Sequence, residues 1–376
     1  MEEKIWLSSP HMGGGEMKYI QHAFDENWIA PLGPNVNGLE KDLEKYLGQH
    51  SHVAALSSGS AAIHLSLILL GVERGDFVIC QSLTFSATAN PIIYLGAQPL
   101  FVDSEKDTWN LCPNAVEEAI KFGISKGKKP KAIVTVSLYG LPYQVDEIKS
   151  LSEKYDIPVI EDSAEALGST YKGQKCGTFG DISVISFNGN KIITTSGGGA
   201  LIVKDESLKK RAVFLATQAK DDALHYEHSS IGYNYRMSNI SAGIGRGQME
   251  VLEERIAQRR ANHLFYQDIF KDHPYCSLHT EPSDDFYSNH WLNIITIDPD
   301  SKIEIKEVIN GFSAANIEIR PIWKPMHLQP VFMKCHYFGK SIAEDLFNRG
   351  LCLPSGSNLT QGDKQRITEI IKKTLL

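Results

Sequence analysis

The chain has 376 residues, 42% of them hydrophobic, enough for a sizeable core and a length that favours two domains, perhaps three. With 38 basic against 45 acidic residues the net charge is -7, which lacks the basic surplus of a nucleic-acid binder. No run approaches about 18 apolar residues, so no membrane span is expected.

After a short extended arm, residues 16–27 read as a helix. Residues 28–36 (WIAPLGPNV) cannot continue it, because two prolines and a glycine shape them into a loop. Asn37 then serves as N-cap for a helix through Leu47. From Val53 the pattern becomes regular. The apolar runs VAAL, DFVICQ, AQPLFVD, KAIVTVSLYG, IPVIEDSA, DISVISF and GGALIVK read as strands, with helical stretches between most of them. Short apolar strands alternating with helices predict an α/β fold whose sheet is largely parallel and covered on both faces.

Residues 205–217 read as a helix, 220–236 as a polar irregular segment, and 238–270 as one long helix. WLNIITI is a further strand, and helices are expected over 304–315, 339–349 and from Thr360 onward. This divides the chain into a large domain, 1–250, that includes the N-terminal arm, and a smaller α/β domain, 251–376.

Six cysteines, at 80, 112, 176, 276, 335 and 352, form no C-x-x-C pair and read as reduced thiols of a cytoplasmic protein. The acidic N-terminus has no apolar h-region, so it is not read as a signal peptide. The short basic cluster KGKKPK at 126–131 reads as a solvated loop. His225 and His228 form H-x-x-H in an irregular polar stretch without a third spaced ligand, so no metal site is expected.

In parallel sheets, ligand groups collect where strands run into the turns at their carboxyl ends, and four features fall there. SSGSAA, residues 57–62, joins a strand to a helix. Its small residues suit either a phosphate cradle at a helix N-terminus or a tight turn capped by Ser57 or Ser58. No dinucleotide or P-loop fingerprint fits it. Phe85 opens the next helix, as a plate for a flat ring or as a structural aromatic. Glu161, Asp162 and Glu165 follow the strand IPVI, where burial demands a partner. Asp162 suits a protonated ring nitrogen or a helix N-cap. Lys191 lies in a turn rich in serine and asparagine. Such a lysine is either solvated or, when partly buried, a nucleophilic amine suited to a Schiff base. Together, a phosphate cradle, an aromatic plate, a carboxylate and a lysine are what pyridoxal phosphate requires.

These residues resemble the DegT/DnrJ/EryC1/StrS sugar aminotransferases, which are fold-type I pyridoxal 5'-phosphate (PLP) enzymes. SSGSAAIHLSL is similar to the family's phosphate-binding motif, EDSAEALGS to its aspartate motif, and SFNGNKIITTSGGGA to its lysine motif. GYNYRMSN is similar to the stretch that reaches a neighbouring subunit, and RPIWKPMHLQP to the substrate-side motif. SGGGA stands where GEGGM is commoner.

The resemblance implies that Lys191 bonds the cofactor and moves the proton, that Asp162 holds the pyridine nitrogen, and that Phe85 stacks on the ring. It places Gly59, Ser60 and Ser186 on the phosphate with Asn234 of the partner subunit, and Ala61 in the same cofactor-binding turn. Glu165, where many relatives have Gln or His, is expected near the ring hydroxyl or the substrate amine. Lysine at 191, where the dehydratases of the family have histidine, implies transamination in a homodimer.

The opening PHMGGGEMKYIQHAFDENWIAPLGPNV and the lysine motif are most similar to UDP-N-acetylbacillosamine-type transaminases. That implies L-glutamate as donor and a UDP-linked 4-keto-6-deoxy-N-acetylhexosamine as acceptor. A GDP-4-keto-6-deoxymannose aminotransferase of the perosamine type is the alternative. A PLP-binding regulator or a dimeric scaffold without PLP are the readings of another class. His11, Trp28, Ala30, Pro31 and His327 are the expected substrate-side residues. Arg236 and Arg320 are candidates for the donor carboxylate or the diphosphate.

Overall fold

The computed structural model describes residues 3–48 and 50–375. Each predicted strand of the regular region forms. They are β1 His52–Leu56, β2 Phe77–Gln81, β3 Gln98–Val102, β4 Ala132–Val136, β5 Val159–Asp162, β6 Ile182–Ser186 and β7 Gly199–Val203. An eighth strand, β8 His336–Phe338, comes from far along the chain and pairs in parallel with β3. The sheet order is β1-β7-β6-β5-β4-β2-β3-β8. All its pairings are parallel except those of β7, which runs antiparallel to both β1 and β6.

Burial on two faces explains the unbroken apolar runs. On β2, Val78 and Cys80 pack with Leu65 and Ile92, whereas Phe77 and Ile79 pack with Val116 and Ile120 on the opposite side. A second sheet, all antiparallel, holds Cys276–Leu278, Asn293–Ile297, Gly350–Leu353 and Arg320–Pro321 in that order. Residues 251–376 therefore supply this small sheet and also the edge strand of the large one.

Two boundaries differ from the sequence reading. The second helix starts at Pro34 rather than after Asn37, because proline fits the first helical position, where no N–H is needed. The expected long helix is two, Asn239–Met249 and Leu252–Phe270, broken at Val251 by a backbone ψ of 8°. Ser238 caps the first of them by accepting the Ser241 N–H.

Glu161 shows how the sheet edge is held near the site. It is fully buried and meets five donors: the N–H groups of Gly177, Phe179 and Gly180 and the hydroxyls of Ser163 and Ser183. Its charge is spread over hydrogen bonds and fixes the turn that leads into β6. Glu161→Ala leaves these donors unpaired and should cost about 3 kcal/mol or more, read by denaturant unfolding. A loss below about 1 kcal/mol would contradict this role.

Candidate active site

The carboxyl ends of β1, β2, β4, β5 and β6 open into one cavity of about 320 Å³, within the size range of small-molecule sites. Gly59, Ser60, Phe85, Asp162, Glu165, Ser186 and Lys191 all line it. The structure thus gathers most of the residues singled out for the cofactor, although they span 133 positions (59 to 191, inclusive).

The cradle is built by the helix Gly59–Leu69. Ser58 caps it, its hydroxyl accepting the Ala61 N–H at 3.0 Å. The first N–H groups of a helix have no acceptor within it. Ala61 has spent its own on the cap and does not line the cavity, so Gly59 and Ser60 are the donors left for an anion. The start of β7 lies directly against this turn. A Cβ on Gly199 would sit 2.5 Å from the Gly59 nitrogen, so glycine is required for the close approach. Ser186 faces the same turn from the end of β6, its Cβ 3.2 Å from where a Gly59 Cβ would lie.

Asp162 ends β5 and is buried. The Thr88 hydroxyl donates to it at 2.7 Å and the Ala164 N–H at 3.1 Å. Burial raises its pKa, and these two bonds and the nearby Lys191 charge only partly oppose that. A carboxylate in this state is suited to a protonated ring nitrogen, which supplies the missing positive charge. Glu165 is also raised by burial, with the charge of Lys191 as the main opposing influence. It accepts the Tyr139 N–H at 2.7 Å and faces the Lys191 amine at 3.3 Å.

Phe85 lies at the cavity wall and is 59% exposed, a placement that leaves its ring free to cover a flat ligand. An anion cradle, a buried carboxylate, a free aromatic face and a reachable amine fit PLP.

Other expectations are not met within one chain. His11 rests on Ser357 at 3.1 Å and does not line the cavity. Trp28 and Ala30 give their carbonyls to the Asn239 amide and N–H, and Pro31 bridges Ser238. They tie the 28–31 loop to the helix start at 239, outside the cavity. His327 is enclosed in a stack on Tyr337, with Ser82 at 2.7 Å and Glu344 at 3.3 Å. Arg236 is buried against Glu40 at 2.6 Å and the Ala55 carbonyl, which removes it as a candidate for a ligand carboxylate. Asn234 is exposed and does not line its own chain's cavity.

Arg320 lines an adjoining groove with Lys324, and Asn190, Trp291 and Trp323 border both spaces. Sequence reasoning missed Trp291 and Trp323, because an aromatic at a strand edge carries no functional signal by itself.

Among the described residues, His263, Glu281 and His290 form one group whose ligand atoms lie within 4.8 Å. The two imidazoles stack 3.6 Å apart at 6°, so their lone pairs run parallel rather than converge, and Arg260 occupies the carboxylate at 2.8 Å. The group reads as a hydrogen-bonded stack.

A carboxyl whose pKa is raised by folding binds protons more readily folded than unfolded. Its contribution therefore weakens stability as pH climbs from the ordinary carboxylate range into the raised one. Cofactor-free Asp162→Asn should thus unfold about 2 °C higher than wild type at neutral pH, with the gap closing in acid. Thermal unfolding across pH measures this, and an unchanged midpoint at neutral pH would contradict it.

Comparison with known proteins agrees with this geometry. A model described as the DegT/DnrJ/EryC1/StrS aminotransferase family matches residues 10–372. EpsN of Bacillus subtilis (strain 168), which carries the name of a pyridoxal phosphate-dependent aminotransferase, is 49% identical over 99% of this chain and 96% of its own. A GDP-perosamine synthase of Escherichia coli O157:H7 is 37% identical over 98% of both chains. The crystal structure of a DegT DnrJ EryC1 StrS aminotransferase from Brucella abortus superposes with a TM-score of 0.89 at 28% identity, covering 96% of this chain and 95% of that one. The chain belongs to the DegT/DnrJ/EryC1/StrS aminotransferase family, with the fold of the fold-type I PLP enzymes, and is a PLP-dependent sugar aminotransferase.

Proposed function

We propose that the protein moves the amino group of L-glutamate to C4 of a nucleotide-linked 4-keto-6-deoxy sugar. The observation that carries this reading is the Lys191 amine at 3.3 Å from Glu165, in one cavity with Asp162 and the Gly59–Ser60 cradle. In the adjoining groove Arg320 is paired with Glu318 at 2.7 Å, so Lys324 is the cation of that wall offered to a diphosphate.

PLP supplies the carbonyl that carries the amino group and the ring that withdraws electrons. The chain supplies the rest. Asp162 would keep the proton on the ring nitrogen. Gly59, Ser60 and Ser186 would hold the phosphate, and Phe85 would cover the ring. The Lys191 amine would bond the cofactor and carry the proton to and from the donor Cα. Glu165, 3.3 Å from that amine, would hold it in place.

Two acceptors are supported by different observations. The lysine motif and the opening segment support UDP-2-acetamido-2,6-dideoxy-4-keto-hexose, giving a UDP-4-amino sugar. Relatives named GDP-perosamine synthase, from Escherichia coli O157:H7 at 37% and Caulobacter vibrioides at 34% identity, support GDP-4-keto-6-deoxymannose.

A homodimer acting in the cytoplasm belongs to the same reading. Leu224, Tyr226 and Ile231, which precede Asn234 in the chain, are exposed, as are Ile93 and Tyr94 at the end of the helix that Phe85 opens. Apolar surface of this kind suits a second copy that brings Asn234 of the partner subunit to the phosphate. Among the described residues, no helix is long and apolar enough to cross a membrane.

Presenting UDP- and GDP-linked keto sugars with L-glutamate, and following 2-oxoglutarate, separates the acceptors. One of them should turn over at least about tenfold better in kcat/KM, and no release with any keto sugar would overturn the reading. Lys191→Ala should lose about 1000-fold or more of the rate.

A further inference from the structure

We propose that Trp291 is a positioning residue for the reacting lysine, its indole face docking the Lys191 amine whenever that amine has no covalent partner. The proposal rests on Lys191 being the reacting lysine.

Lys191 Nζ lies 3.9 Å from the centroid of the Trp291 ring and 3.3 Å from Glu165 Oε1. The amine thus has an aromatic face as well as a carboxylate to rest on. Tryptophan offers the strongest aromatic attraction for a cation, and the attraction grows as water is excluded. Here water is largely excluded, since Trp291 is 1% exposed.

The platform is also immobile. The Trp291 Nε1–H donates to the Asn190 carbonyl at 2.7 Å, and its own carbonyl accepts from Arg259 Nη1 at 2.6 Å. Asn190 immediately precedes Lys191. One indole therefore fixes the backbone at the lysine and the head of its side chain.

Ser8 reinforces the same point. Its hydroxyl donates to the Asn190 carbonyl at 2.7 Å and accepts from Arg259 Nη2 at 3.0 Å. Arg259 is buried and, among the described residues, has no carboxylate partner, so its charge is spent on these neutral groups.

A lysine set free during transamination regains many rotamers, and returning a proton to a stated atom requires that most of them be forbidden. The Trp291 face and the Glu165 carboxylate together forbid them.

The test uses the full-length, cofactor-free protein with its tryptophans replaced by mono-, di- and trifluorotryptophan. Fluorine withdraws density from the ring face and leaves its shape nearly unchanged. Trace acetylation of amines followed by peptide mass spectrometry then reads the protection of Lys191. Its labelling should rise with each fluorine, to about tenfold overall. Lys4, which lies 3.9 Å from the exposed ring of Trp6, is the internal control and should change less than about twofold. Labelling of Lys191 that stays flat across the series would overturn the proposal.

In the PLP-loaded protein, Trp291→Leu should lower kcat about tenfold or more with KM changed less than about twofold, and Trp291→Phe should restore part of the loss. Equal losses in the two variants would also overturn it. Should Trp291→Leu fail to fold, the fluorotryptophan series decides alone. Should the wild type fail to take up PLP, the functional reading falls while the labelling series still decides on Trp291.

Discussion

Three carboxylates, Glu161, Asp162 and Glu165, are buried at the carboxyl end of β5, and among the described residues Glu165 alone of the three touches a cation. Desolvating a carboxylate is costly, so each must be compensated. Glu161 is answered by five hydrogen bonds and becomes part of the scaffold. Glu165 is answered by Lys191. Asp162 has a hydroxyl and one N–H, and burial still raises its pKa. That unfinished compensation is what a protonated ring nitrogen would complete.

The rest of the fold serves to aim groups at this point. Parallel strands deliver Asp162, Ser186 and the turns after β1 and β2 to one edge of the sheet. Antiparallel β7 brings Gly199 back against the cradle, where any side chain would collide with Gly59. The 251–376 stretch adds Trp291, two residues before the strand Asn293–Ile297, and Trp323, two residues after Arg320–Pro321. Arg259, Ser8 and Asn190 then lock the lysine turn to the N-terminal arm and to the helix Leu252–Phe270.

Most of this was legible where chemistry and periodicity agree. Apolar runs on a doubly covered sheet announce their strands; Asp162 stood out as a carboxylate closing an apolar strand, and Lys191 as a lysine in a turn rich in serine and asparagine. The unreadable parts depend on contacts distant in sequence. Trp291 reads as core until Lys191 is placed on its face. His327 sits in a motif that suggests substrate, yet Ser82, Glu344 and Tyr337 enclose it. Arg236 lies beside a conspicuous polar segment, yet Glu40, far back in the chain, claims it. β8 joins the large sheet across more than 230 residues from β3, a pairing no local pattern announces.

The central claim is that Lys191 is the amine that bonds PLP, in a pocket completed by Asp162. The most direct measurement is borohydride reduction of the PLP-loaded protein followed by peptide mapping. The account predicts a single phosphopyridoxyl group, on the peptide that carries Lys191. A label on any other lysine, or none on a protein that has taken up the cofactor, would contradict it.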